Sequence, residues 1–309
     1  MTLRPDVKAV LDYLRTSSTP PIEQTDPATA RVAMVESVTL ADVSAPALAI
    51  SRTISVPGAA GELPALLLDS RVDRNPGPLV VWFHGGGFVT GGLDTHQGFC
   101  SEVARQLDLP VLLVAYRLAP EVRFPAAHQD AEAVARWVAS GPEVLDRGVT
   151  SLVLGGDSAG GNLALVTAQA LRDRPAAVPL TVQVAIYPST DETRTYPSQD
   201  EFAAGYLLTE AGKRWYREHT QAVPEDLRSS PINGVLAGLA PAVIMTAGAD
   251  PNRDEGRAYA AALVAAGVPT TFLEAAGNVH AFVLLRQVVP SAQRDVTRAL
   301  SALREVLQR

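Results

Sequence analysis

Short apolar runs alternating with helical stretches constrain this chain more than any other feature. The runs are Leu79 to Phe83, Val111 to Ala115, Ser151 to Leu154, Val182 to Tyr187, Ala242 to Ala247 and Thr270 to Leu273. Between and after them, helical spacing falls near Gln97 to Gln106, Ala127 to Ala139, Asn162 to Arg172, Glu255 to Ala266 and Ala292 to Leu307. Strands that are apolar on both faces and joined by crossover helices predict a parallel sheet covered on both sides. Upstream, Ile50 to Val56 and Leu63 to Leu68 flank the turn residues Pro57, Gly58 and Gly61 and predict an antiparallel pair. The fold class is therefore α/β, a mostly parallel eight-stranded sheet flanked by helices.

Two segments break the alternation, about 1–43 and 191–234. They are expected to form a helical cap over the carboxyl ends of the strands, where open α/β sheets bind ligands, with 1–309 a single domain. Within the first segment, Val7, Val10, Leu11 and Leu14 have helical spacing and predict a docked helix rather than a secretory or membrane-spanning run. Ser17 to Val38, with Pro20, Pro21 and Pro27, is expected to be irregular with at most a short helix.

Composition narrows the function. A hydrophobic fraction of 47% supports a large core, and a net charge of -7 without a basic block argues against nucleic-acid binding. Cys100 is the only cysteine, so no internal disulfide forms, no Cys/His zinc spacing occurs, and a reducing cytoplasmic setting is compatible. Neither a metal nor an organic cofactor is expected.

Gly156-Asp157-Ser158-Ala159-Gly160-Gly161 sits between an apolar run and a helical stretch. Small residues allow a sharp strand-to-helix turn that projects the Ser158 hydroxyl, and the helix N-terminus behind it stabilises negative charge. His84-Gly85-Gly86-Gly87-Phe88 follows Leu79 to Phe83, where backbone N–H groups of Gly86 and Gly87 can join that of Ala159 in an oxyanion hole. Of the five histidines, His280 follows the last strand, in a loop begun at Ala275, and is the candidate base. Asp250 follows Ala242 to Gly248 and is the candidate acid, with Asp254 explained as a helix cap. The order Ser, acid, His suits an α/β-hydrolase.

Together, HGGGF from His84, YRLAPE from Tyr116 with FPAA from Phe124, GDSAGGNLA from Gly156 and DPNRDEG from Asp250 resemble the bacterial hormone-sensitive-lipase-like carboxylesterases, over nearly the whole chain. The resemblance implies an α/β-hydrolase fold, Ser158 as nucleophile with His280 and Asp250 as partners, and a cap that shapes the acyl and alcohol pockets. The chain departs from the family pattern at Asn252, where Leu is common after Asp-Pro, and at Asn278 and Ala281, where an apolar residue and Gly are usual. Both asparagines are expected near the acid and base. Arg117 and Glu121 are expected to pair with each other in a structural role.

Candidates for the pocket lining are Phe88, Phe202, Tyr206, Trp215 and Phe282. The expected activity is hydrolysis of short-chain carboxylic esters through an acyl-enzyme. Deacetylation of an amide or natural product uses the same machinery and is the enzymatic alternative, and a non-enzymatic small-molecule receptor of the same fold is the other class. The expected partner is a small-molecule ester, with a homodimer through the last strand also considered.

Overall fold

A computed structural model describes residues 2–308. A hairpin, β1 (Ile50–Gly58) and β2 (Gly61–Asp69), leads into β3 (Gly77–Phe83), β4 (Val111–Val114), β5 (Val149–Asp157), β6 (Leu180–Ile186), β7 (Ala242–Ala249) and β8 (Thr270–Val279). The order across the sheet is β1-β2-β4-β3-β5-β6-β7-β8. β1 runs antiparallel to β2 and β2 antiparallel to β4, and every later pairing is parallel. The strand pattern expected from the sequence is present; β4 stops one residue short of the expected run, at Val114, and the other strands are somewhat longer than theirs.

Period-two alternation sorts the strand side chains between two apolar layers. On β3, Val80 and Trp82 face the layer covered by α3 (Leu93–Leu107) and α9 (Pro290–Leu307). Leu79, Val81 and Phe83 face α4 (Ala126–Ala139) and α5 (Ala159–Asp173) on the other side. β4 splits the same way, with Val111 and Leu113 in the first layer and Leu112 and Val114 in the second. All these residues are buried, each contributing about 1.5–3 kcal/mol of apolar transfer. α8 (Arg253–Ala265) covers β7 through Tyr259, Ala260 and Leu263.

The N-terminal segment is more regular than its prolines suggest. α1 (Pro5–Thr16) buries Val7 and Leu11, and Arg4 ties its start to Ala276 O and Asp295. The stretch expected to be irregular contains a second helix, α2 (Pro27–Ala41), of 15 residues. Pro27 occupies its first turn, where a missing N–H is harmless, and Asp26 caps it by accepting from Ala28 N and Thr29 N. Arg31 on α2 then donates to Val89 O, Ala119 O and the Glu121 carboxylate. Segment 191–234 carries α6 (Pro197–Glu201) and α7 (Glu210–Thr220).

Candidate active site

β5 ends at Asp157 and α5 begins at Ala159, so Ser158 alone makes the turn, with φ 54° and ψ -119°. That backbone conformation is strained for a residue with a Cβ, and the surrounding packing enforces it. A Cβ on Gly156 would overlap the Gly160 carbonyl, and one on Gly160 would overlap the Phe83 carbonyl. The glycines thus let the turn close against β3.

His280 Nε2 lies 2.9 Å from Ser158 Oγ, and its Nδ1 lies 2.7 Å from Asp250 Oδ2. Asp250 Oδ1 accepts from Asn252 N at 2.9 Å, so both carboxylate oxygens are occupied. The carboxylate is fully buried, and the His280 ring rests 4.6 Å from that of Tyr187. The sequence placed the histidine in a loop begun at Ala275, but β8 continues to Val279. An irregularity between Ala247 and Ala249 brings Val279 opposite Ala249, which sets Asp250 and His280 side by side at the ends of adjacent strands.

The glycine loop turns with φ 122° at Gly86 and 59° at Gly87, conformations that glycine adopts readily. The Gly86 carbonyl accepts from Val89 N and Thr90 N, while the N–H groups of Gly86 and Gly87 have no acceptor among the described residues. The Ala159 N–H is one of the orphan donors of the first turn of α5. Asp157 joins this loop to the serine turn. Its carboxylate accepts from Gly85 N at 3.2 Å, Trp82 Nε1 at 3.3 Å and the Tyr187 hydroxyl at 3.4 Å, and it faces His96 Nε2 at 3.2 Å. Burial alone would raise the Asp157 carboxyl, but His96 and Trp82 outweigh it and hold it below its ordinary value.

Two other histidines are neutral by environment. Burial pushes His84 down to about 3, and its ring stacks on Tyr116 at 4.2 Å. Burial pushes His128 to about 4, with Nε2 2.9 Å from Asn162 Oδ1. The Tyr116 hydroxyl donates to His84 O at 2.7 Å and so braces the glycine loop. Arg117 and Glu121 do not pair with each other. Arg117 binds Asp130, which also holds Ala59 N at the hairpin, whereas Glu121 meets Arg31 of α2. Asp254 lies inside the first turn of α8, where Asn252 is the N-cap, and binds Arg253 and Arg257. Among the described residues no cluster of His, Cys, Asp or Glu side chains could hold a metal, and no helix is long and apolar enough to cross a membrane.

A cavity of about 270 Å³ opens over Ser158 and His280. Of the five aromatic candidates, Phe88 lines it. Phe202 is buried beneath the Arg253 guanidinium, edge-on to Tyr206, and Phe282 is buried against Tyr187. Trp215 packs with Val89 and Ala119 and donates to Thr25 O at 3.0 Å. Their apolar area goes into packing segment 191–234 and the core rather than into the cavity wall. The sequence missed the true stripe on α7. Thr209, Gly212, Lys213, Tyr216, Arg217 and Thr220 all line the cavity, and their spacing of three and one is that of a single helix face, on which Trp215 does not lie. Asn252 lines the cavity as well, but Asn278 turns away and donates to Asp295 at 3.0 Å. Ala281 lines the cavity with φ 60°, the left-handed conformation that explains why Gly is usual there.

Known proteins share this fold. The family profile of the alpha/beta hydrolase fold matches residues 80–284. Esterase LipI of Mycobacterium tuberculosis is 42% identical over 245 residues, covering 76% of this chain and 75% of its own. An ethyl acetate hydrolase of Pseudomonas putida is 34% identical over 235 residues, covering 75% and 74%. Among solved structures, an ester hydrolase from the metagenome of Lake Arreo, complexed with a derivative of bipyridine phosphonate, superposes with a TM-score of 0.93 at 33% identity over 100% of both chains. The hyperthermophilic esterase of Pyrobaculum calidifontis gives 0.92 at 32% identity over 99% of each. With a matching profile, relatives at this identity and the strand-to-helix serine turn in the fold's own place, the chain belongs to the bacterial hormone-sensitive-lipase-like carboxylesterases of the α/β-hydrolase fold.

Proposed function

We propose that this protein is a serine carboxylesterase that hydrolyses short-chain carboxylic esters through Ser158, His280 and Asp250. The observation that carries this is the continuous hydrogen-bonded line from Ser158 Oγ to His280 at 2.9 Å and from His280 to Asp250 at 2.7 Å. His280 Nε2 takes the Ser158 proton as Oγ attacks the ester carbonyl carbon, a step that a positioned general base accelerates by about 10²–10⁴. The carbonyl oxygen becomes an oxyanion and accepts from the N–H groups of Gly86, Gly87 and Ala159. His280 then returns the proton to the departing alkoxide oxygen, and the alcohol leaves an acyl-Ser158. Water attacks that acyl carbon, giving its proton to His280, and the carboxylic acid departs as Ser158 recovers its proton. Asp250 holds the productive tautomer and stabilises the imidazolium without being protonated.

The cavity supports the short-chain preference. About 270 Å³ is at or just below the small end of ligand pockets, roughly 300–1,000 Å³. Ile22 and Met34 from the N-terminal segment and Leu207 and Leu208 from segment 191–234 contribute to its walls, which supports the role of both segments as one cap on a single catalytic domain. Acetyl to hexanoyl esters are expected to be hydrolysed with kcat/KM falling beyond hexanoyl. Faster turnover of long-chain triglycerides than of a butyrate ester would refute the substrate preference.

A further inference from the structure

We propose that Lys213 and Asn252 form a recognition point for a carboxylate carried on the ester substrate, on its acyl or its alcohol side. This rests on the esterase function above and names the chemistry that its cavity selects. Lys213 is one of the two lysines in the chain. Lys8 is exposed on α1, whereas Lys213 on α7 is 7% exposed and lines the cavity. Burying an ammonium is unfavourable unless hydrogen bonds or an opposite charge compensate it.

The compensation present is incomplete. Lys213 Nζ has three N–H donors, and its hydrogen-bond partner among the described residues is Asn252 Oδ1 at 2.9 Å. The nearest carboxylates, Glu255 at 3.8 Å and Glu210 at 3.9 Å, lie beyond hydrogen-bond distance. Burial pushes Glu255 up to about 8, so it is largely protonated near neutrality and does little to cancel the ammonium. Because Asn252 Oδ1 accepts from Lys213, its Nδ2 is turned elsewhere, and it too has no acceptor among the described residues. Two adjacent, buried side chains on the cavity wall therefore keep N–H donors that reach no further acceptor within hydrogen-bond distance among the described residues. Carboxylate oxygens are the matching group.

The other charges of the wall favour the same ligand. Arg117 is committed to Asp130, and the Glu192 carboxylate is held by Arg217 at 3.2 Å and by the Ser189 hydroxyl at 3.3 Å. Arg123, exposed where it lines the cavity, meets the uncharged Gln221 amide and has no carboxylate partner among the described residues. Asn252 also donates its backbone N–H to Asp250, so the recognition point adjoins the catalytic acid. Lys213, Asn252, Ser158 and His280 line one cavity, so a carboxylate bound there is carried by the ester that reacts at Ser158. The asparagine that departs from the family's usual leucine is thus half of a polar pair facing the substrate.

The test compares matched ester pairs that differ only in a terminal carboxylate or carboxamide. One arm places the group on the acyl side, in monoesters of succinic and glutaric acid, and the other on the alcohol side, in butyrate esters of short hydroxy acids. For the wild type, kcat/KM for the carboxylate member is expected to exceed that of its carboxamide twin in one arm, which identifies the side that binds. Lys213→Met is expected to lower that ratio about tenfold or more, the size of a charge-assisted hydrogen bond, while the ratio cancels any general loss of activity. A wild-type ratio at or below one in both arms overturns the proposal, and this measurement needs no variant to fold. An unchanged ratio in a folded Lys213→Met protein overturns it equally. Absence of turnover on butyl butyrate as well, with no phosphonate adduct on Ser158, marks failure of the esterase function itself.

Discussion

Asp157→Asn separates the chemistry of the serine turn from its folding. The carboxylate lies next to Ser158 and reaches Gly85, the residue before the proposed oxyanion donors, along with Trp82, His96 and Tyr187. Asparagine keeps one acceptor oxygen, which can serve Gly85 N and Trp82 Nε1, and sets an amide NH₂ against His96 Nε2 and the Tyr187 hydroxyl. The hydroxyl can turn to accept. His96 must shift its proton to Nδ1, which faces Thr95 Oγ1 at 2.8 Å, or the two donors will push apart. Losing one charge-assisted bond at a buried site predicts about 1.5–3 kcal/mol less stability, readable from the urea midpoint. If the strain moves Gly85, the N–H groups of Gly86 and Gly87 move with it, and losing one oxyanion donor lowers kcat by about 10²–10³. The expected result is a kcat about 10² lower, with KM changed by much less, since these donors act mainly on the transition state. The assay is steady-state hydrolysis of a butyrate ester beside denaturation of the same preparation. Full kcat in a destabilised variant would refute the link between Asp157 and the oxyanion loop.

Glu255 and Gly87 give two further expectations. Burial raises Glu255 from 4.5 to about 8, so the unfolded chain loses this proton first and wild-type stability falls as pH rises from about 4.5 towards 8. Glu255→Gln removes that fall, and its melting temperature relative to wild type is expected to increase between pH 5 and pH 8; a constant difference would contradict the buried, protonated state. Gly87 has φ 59°, and a Cβ there would overlap the Tyr216 ring of α7. Gly87→Ala is expected to lose about 1–2 kcal/mol from the left-handed backbone and to depress activity further by displacing α7. Adding Tyr216→Ala should restore part of the activity, and strictly additive effects would show that the glycine loop and α7 are not coupled there.

Much of the fold was legible because buried parallel strands and crossover helices have strong periodicities, as in Leu79 to Phe83 and Ala127 to Ala139. The glycine loop and serine turn were legible because few residues tolerate the backbone they need, as the overlaps at Gly156 and Gly160 demonstrate. What periodicity does not encode is which buried aromatic faces a cavity and which faces the core. Phe202, Trp215 and Phe282 satisfy the same hydrophobic pattern either way, and long-range contacts with Arg253, Thr25 and Tyr187 decide between them. The α7 face carrying Lys213 and Tyr216 was available from helical spacing once that helix was bounded. Pro27 misled because a proline that stops one helix starts another when Asp26 precedes it as a cap. Arg117 and Glu121 are four apart in sequence, yet their partners, Asp130 and Arg31, come from α4 and α2.

The most direct measurement is the intact mass of the protein after incubation with a small organophosphonate ester, followed by peptide mapping. A single covalent phosphonyl adduct on Ser158 is predicted, formed in parallel with loss of ester hydrolysis and absent from Ser158→Ala. An unmodified wild-type protein, or an adduct on another residue with hydrolysis intact, would contradict Ser158 as the nucleophile.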